Sequence, residues 1–320
     1  MRICRYRHQE TTALGFYGEQ HVTPLAAAAE VYRQATGSAL EAPSGDNILD
    51  VLSNGAAHGP TRRLADWLTQ NAGIANSIGV PTASVQMLVP VPRPNKLFLL
   101  AGNYAEHIQE GGGIAAERAE TFPYVFMKPP TTTLIDPGEA VQVPSISPGA
   151  IDWELELAVI IGRRCKHVSE AEALGYVAGY TVINDISNRK FRPNPGRKKR
   201  DRDSFFDWLH GKWHDSFCPC GPCVLSADAL PNPQQLEMKL WLNDDLRQNA
   251  STSQQIFPVA AVIEFIASFV TLEPGDIIST GTPAGVGNTT GTYVKPGDVL
   301  KASIPAIGTL VSPVVAEIRE

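Results

Sequence analysis

At 320 residues, 43% hydrophobic and 19% charged, with a formal net charge of −6, the chain has the composition of a soluble globular protein of one large or two modest domains. No apolar run approaches the roughly 18 residues of a membrane span, and the opening MRICRYRHQE lacks the apolar core of a secretory signal, so no membrane role and a cytoplasmic location are expected. Five cysteines in a chain large enough to build a core without staples point to reduced thiols.

The first elements read as short strands, ICRY and then TALGFYGEQHVTPL, in which Gly15 and Gly18 flank an aromatic pair and Pro24 closes a hairpin. Helical periodicity follows in LAAAAEVYRQATG, stopped by Gly37, and in TRRLADWLTQNAG, with Thr61 as the expected N-cap and Gly73 past the end. Pro90, Pro92 and Pro94 then make a stiff, extended passage, and the boundary is placed there: a small α+β N-terminal domain over 1–90 and a larger domain over 91–320. From Leu97 onward apolar runs bounded by turns predict mostly strands (KLFLLAGN, ELELAVIIG, GYVAGYTVIND, PCVLSAD, MKLWLND, DIISTGT). Only PVAAVIEFIASFV carries a helical face, through Val259, Ile263, Ile266 and Val270. The fold class expected is mixed and mainly β, a roll or sandwich rather than a doubly wound sheet.

Chemistry concentrates in a few places. In IDWELELAVIIG a strand would point Asp152, Glu154 and Glu156 to one face, and three carboxylates beside an apolar run repel unless water or a cation neutralises them. A hard divalent cation, Mg²⁺, Mn²⁺ or Ca²⁺, resolves the conflict; a wet edge strand would satisfy the same spacing. Asp185 ends the next strand and offers a third ligand or an ordinary turn former. In AGNYAEHIQEGGG, Asn103 is a candidate helix cap with Glu106 three residues on, and His107 and Glu110 fall one turn apart, the arrangement of a general base beside its orienting carboxylate. The glycines behind them suggest a hinge.

Other features are decoys. Cys218, Cys220 and Cys223 lack the spacing of a zinc site, and STGTPAGVGNTTG lacks the signature of a phosphate loop, although its backbone amides could bind a carboxylate. Residues 189–202 hold eight of the 27 Lys and Arg against one Asp, so this island carries +7 and the remainder −13. One short basic stretch in a net-acidic chain without a nucleic-acid module predicts no nucleic-acid partner; it is a charged surface loop or a mouth that attracts anions.

In series, GNYxxHxxE (Gly102 to Glu110), FMKP (Lys128), DWELELAVIIG (Asp152 to Gly162), GYTxxNDxSxR (Gly179 to Arg189), GKWHDSFCPCGP (Lys212) and TGTPAGVG (Thr280 to Gly287) resemble the fumarylacetoacetate hydrolase family over about two thirds of the chain. The resemblance implies a catalytic domain of β-roll type, a divalent cation, usually Mg²⁺ or Mn²⁺ and sometimes Ca²⁺, a homodimer, and a small anionic 2-oxo or β-diketo acid substrate. It implies Glu154, Glu156 and Asp185 as metal ligands, His107, Glu110 and Lys212 as catalytic residues, and Tyr104, Lys128, Arg189 and Thr282 at the substrate. The reaction implied is carbon–carbon bond hydrolysis of an acylpyruvate, or a decarboxylation, lyase, hydratase or isomerase reaction of a related enol acid. A metabolite binder without catalysis is disfavoured by the intact residue set. The chain departs from the family where Lys190 and Arg192 stand in place of the usual Asp and Gln. Arg192 at the pocket would favour a substrate with an additional acidic or enolic group; alternatively the insertion that follows remodels the dimer edge or the lid.

Overall fold

Three strands buried at every residue, Leu155–Ile161, Val177–Asn184 and Cys218–Ser226, form the middle of the molecule. Such unbroken apolar runs are what a sheet covered on both faces requires. The computed structural model describes residues 1–40, 43 and 45–317. In it these strands run antiparallel inside a twelve-stranded sheet. Beyond Leu155–Ile161 the order continues through Ile277–Ser279 and Leu97–Ala101 to an edge at Tyr124–Met127.

On the other side the sheet is extended by the N-terminal strands. Arg2–His8 pairs with Cys218–Ser226 (Ile3 opposite Val224), and Thr11–Tyr17, His21–Pro24 and Val80–Pro81 follow outward. A five-stranded sheet, in the order 245–251, 237–242, 299–304, 308–316 and 141–143, stacks against it. The alternation of strand side chains decides which layer each residue joins. Leu157, Val159 and Ile161 pack with Met238, Leu240, Leu300 and Leu310 between the sheets. Ala158 and Ile160 face the opposite layer with Ile3, Leu52, Leu99 and Val224. The architecture is thus mainly β and sandwich-like, with helices on the outside.

Helix Leu25–Thr36 ends at Gly37, which takes φ of 73° and donates its N–H to Arg33 O at 2.9 Å, the stop read from the sequence. Helix His58–Gln70 starts one turn earlier than expected, so Thr61 lies inside it with Oγ1 on Ala57 O at 2.8 Å. Helix Val259–Phe269 buries Val259, Ile263 and Ile266 and stops before Val270. The basic island is followed by an element that was not expected from the sequence. After 197–202, helix Asp203–His210 forms, its first-turn Asp203 held by Arg197 at 3.1 Å and Arg200 at 3.1 Å.

Candidate metal centre and active site

The strand expected from Asp152 onward is interrupted. Ile151–Asp152 pairs with Ser187–Asn188, the chain steps out at Trp153 and Glu154, and the long strand begins at Leu155. Asp152 therefore leaves the row of carboxylates. Its oxygens accept from the amides of Gly287 at 2.6 Å and Asn288 at 3.0 Å, and from Arg189 Nε at 2.8 Å. The pairing of Leu155 with Asn184 puts Glu154 beside Asp185, and the Asp185 amide donates to Glu154 O at 2.8 Å. Carboxylate oxygens of Glu154, Glu156 and Asp185 lie within 4.8 Å of one another, on residues that are 4%, 0% and 0% exposed.

Three buried carboxylates this close need compensation. Lys212 Nζ donates to Glu154 Oε2 at 2.7 Å and Asp185 Oδ2 at 2.5 Å. Arg189 bridges Asp152 and, at 2.5 Å, Glu154 Oε1. Lys128, fully buried, donates to Ile186 O at 3.0 Å and Phe217 O at 2.5 Å and forms an ion pair with Asp185, so its donors are taken up within the protein. With Asp152 counted, four carboxylates face three fixed cations. Burial would raise the Glu154 carboxyl, yet Lys212, Arg189 and His107 outweigh it and hold this group well below its usual range. Glu156 goes the other way: burial, then the charges of Asp185 and Glu154, push it well up. Its Oε2 accepts from the Gly281 amide at 2.8 Å, but Oε1 is buried without a hydrogen-bond partner among the described residues. An all-oxygen donor set with one orphaned oxygen and an excess of negative charge fits a hard divalent cation.

The short helix Ala105–Glu110 brings in the second group. His107 Nδ1 and Glu110 Oε1 are 2.8 Å apart, and Glu110 Oε2 accepts from the Gly285 amide at 2.9 Å, so the dyad is tied to the TGTPAGVG loop. Asn103 does not cap this helix; Tyr104 occupies that position. Asn103 is buried and stitches the helix to the core through Phe257 N and O and Thr280 O. Tyr104, expected at the substrate, is 1% exposed with its hydroxyl on Met238 Sδ at 3.2 Å, because the extended residue before the helix turns its ring into the inter-sheet core. Thr282 is also committed internally. Its hydroxyl donates to Leu155 O at 3.0 Å and accepts from Gln248 Nε2 at 2.8 Å.

The sequence reading allowed the backbone amides of that loop to bind a carboxylate, but not that the carboxylates would be the chain's own Glu156 and Glu110. Gly281 has φ of 88°, and an added Cβ would lie 2.9 Å from Asn103 Cβ; Gly285 has φ of 101°, and a Cβ there would meet Arg247 O at 2.1 Å. These two glycines let the chain approach closely enough for their amides to hold Glu156 and Glu110. The Gly-rich run was the signal. Arg192 is exposed and lines a small cavity of the insertion together with Arg197, Lys199, Asp203 and Asp207, and it makes no ion pair with the carboxylate cluster among the described residues. The cysteines are free and buried, and burial pushes the Cys4 and Cys218 thiols up to about 12. Among the described residues no helix is long and apolar enough to cross a membrane.

Residues 96–315 match the family model described as fumarylacetoacetate (FAA) hydrolase C-terminal. The chain belongs to the fumarylacetoacetate hydrolase family. Relatives within this family of enzymes differ in reaction. The chain is 34% identical over 238 residues, 74% of its length and 71% of the other, to a mitochondrial oxaloacetate tautomerase (Fahd2a) of Rattus norvegicus. Its structure is similar, with a TM-score of 0.68 and 28% identity over 99% of this chain and all of the other, to maleylpyruvate hydrolase from Sphingobium sp. SYK-6, solved in complex with manganese(II) and pyruvate. It is equally similar, TM-score 0.68 and 27% identity over both whole chains, to 5-carboxymethyl-2-hydroxymuconate delta-isomerase from Mycobacterium smegmatis. In the hydrolase family, the carboxylate cluster and the anchored His107–Glu110 pair are the two features from which a reaction can be argued.

Proposed function

We propose that this protein is a metal-dependent hydrolase that cleaves a carbon–carbon bond in an acylpyruvate or related β-diketo acid. The observation that carries this reading is the His107–Glu110 pair, fixed by the Gly285 amide of the same Gly-rich loop whose Gly281 amide holds Glu156. Glu154, Glu156 and Asp185 would hold the cation, which when bound supplies Lewis-acid polarisation of the substrate's oxygens.

The chain's own residues account for the proton and charge movements. Glu110 bonds His107 Nδ1, which leaves Nε2 as the acceptor that takes a proton from water. That water adds to the distal carbonyl, the bond between this carbon and the methylene breaks, and the electron pair stays with the pyruvyl fragment, which is then protonated. The products are a carboxylic acid and pyruvate. Lys212, charged and buried between Glu154 and Asp185, stands where it can also hold developing negative charge on a substrate oxygen. Lys128 and Arg189 act as positioning residues, fixing Asp185 and Glu154.

A second reading, tautomerisation or isomerisation of a 2-oxo acid, is favoured by the sequence likeness to the rat tautomerase. It uses the same base and cation but adds no water to a carbonyl. Incubating the Mg²⁺- or Mn²⁺-loaded enzyme with acetylpyruvate and with oxaloacetate, and identifying products by NMR, separates the two. Acetate and pyruvate are expected; enol–keto exchange of oxaloacetate without cleavage of any acylpyruvate would overturn the hydrolase reading.

A further inference from the structure

One groove lies beside Lys212 and, among the described residues, is lined by none of the carboxylate cluster or the His107–Glu110 pair. It has a volume of ≈ 560 Å³ and is walled by the edge strand Tyr124–Met127, the insertion helix Asp203–His210 and the end of helix Val259–Phe269, with no charged residue in its lining. Its floor is Phe126 and Trp208, edge to face at 5.0 Å. Phe205 leans on Trp208 at 5.8 Å, and Phe122 stacks on Phe265 at 6.0 Å, which in turn meets Phe269 at 5.3 Å. Phe122, Phe205 and Phe269 are more than half exposed at 58%, 53% and 58%, so this apolar surface has no cover.

The floor is shared with the active site. Lys212 Nζ lies 5.2 Å from the Phe126 ring centre and 5.8 Å from that of Trp208, while the same ammonium bonds Glu154 and Asp185. The remaining chain of a substrate whose oxygens meet the cation and Lys212 can therefore reach these two rings. The volume is in the range of small-molecule sites, about 300–1,000 Å³. The charged cavity containing Arg192 is a different one, so the wall next to the reacting centre is aromatic rather than basic.

We infer that the groove is the acyl-chain subsite, and that the preferred substrates carry an aromatic or medium-length aliphatic acyl group rather than a second carboxylate. The inference rests on the proposed metal-centred reading of the site. Phe205 and Phe269 set specificity at the far walls, and Phe126 and Trp208 align the chain next to Lys212.

The test is calorimetric titration of the Mg²⁺-loaded full chain with oxalate, N-methyloxamate and N-hexyloxamate, on wild type, Phe205→Ala and Phe269→Ala, with sedimentation velocity on all three proteins. N-hexyloxamate is expected to bind at least about tenfold more tightly than N-methyloxamate, since each buried methylene contributes up to about a fourfold gain. The two variants should lose most of that gain and keep the affinities for oxalate and N-methyloxamate. Oxalate and N-methyloxamate binding with no gain from the hexyl chain overturns the subsite and leaves the metal-centred reading standing. No binding of oxalate at all overturns that reading, and the subsite with it. Variants that turn a dimer into a monomer with unchanged oxamate affinities overturn it too, and make the face an interface between copies of the chain.

Discussion

Glu156 occupies an unfavourable electrostatic position, fully buried beside two other carboxylates and accepting from the Gly281 backbone amide. Glu156→Gln removes the excess charge and a proposed ligand together, so Mg²⁺ affinity should fall at least about a hundredfold while the fold is kept; equilibrium dialysis and far-UV circular dichroism check both parts. Gly281→Ala attacks the same carboxylate from outside. A side chain at φ of 88° with its Cβ 2.9 Å from Asn103 is strained, and the amide that holds Glu156 must move. At least about a tenfold loss of Mg²⁺ affinity with retained secondary structure is expected by the same dialysis. Strand alternation and a strand end offered Asp152, Glu154, Glu156 and Asp185 as candidates, and only the family resemblance singled out Glu154, Glu156 and Asp185, the three that the structure brings together. The break that removes Asp152 from the row was not legible, since nothing in ID-WE-LEL marks the outward step at Trp153. The loop's amides were read as able to bind a carboxylate, but that Gly281 would hold Glu156 was hidden, because a backbone donor leaves no side-chain signature, only the glycine that permits its approach.

Two elements decide how the site is held. Helix Ala105–Glu110 carries the dyad and is tied to the Gly-rich loop through Glu110, to Gly285 N at 2.9 Å and Thr289 Oγ1 at 3.5 Å. His107→Ala should reduce hydrolysis by roughly 10²- to 10⁴-fold in kcat, with Mg²⁺ and oxalate affinity unchanged, as steady-state kinetics and calorimetry would show. Helix His58–Gln70 is joined to the central sheet at Asp228, which accepts from Ser226 Oγ at 2.5 Å and Ser53 Oγ at 3.2 Å and pairs with Arg62 and His58. Burial opposes this charge, but Ser226, His58, the N-terminal amine and Arg62 lower the carboxyl from 3.8 to about 2. A carboxyl depressed in the folded state stabilises above its unfolded value and loses that contribution as pH falls through its folded value. Asp228→Asn should therefore cost about 1–2 kcal/mol at pH 6 in urea melts, with the difference shrinking below pH 3.8 and gone near pH 2. The helix ending at Gly37 was read correctly from its periodicity and stop signal. No element was read over 203–210, because the eight residues of helix Asp203–His210 are too few to show a clear helical period.

Across the whole molecule the N-terminal and catalytic strands are one hydrogen-bonded sheet, with Ile3 against Val224 and Arg2 against Leu225. The proline-rich passage after residue 88 separates the two segments in sequence but not in the sheet, and sequence patterns carry no information on which strands pair across 200 residues. Ile3 is fully buried in the layer that also packs Ala158 and Ile160, so Ile3→Ala should cost about 2–5 kcal/mol and lower the melting temperature of a single cooperative transition. Two separate transitions in the wild-type calorimetric scan would contradict this coupling. The acidic total of −6 also takes a different meaning in three dimensions. Part of it is concentrated in a buried cluster that three cations leave incompletely neutralised, and the basic island's Arg197 and Arg200 are spent largely on Asp203 and Asp207. The central claim is that this cluster is a divalent cation site. Calorimetric titration of the chelator-treated protein with Mn²⁺ tests it most directly: one ion per chain is expected, tightened by oxalate and lost in Glu156→Gln, whereas no binding, or equal binding by the variant, would contradict it.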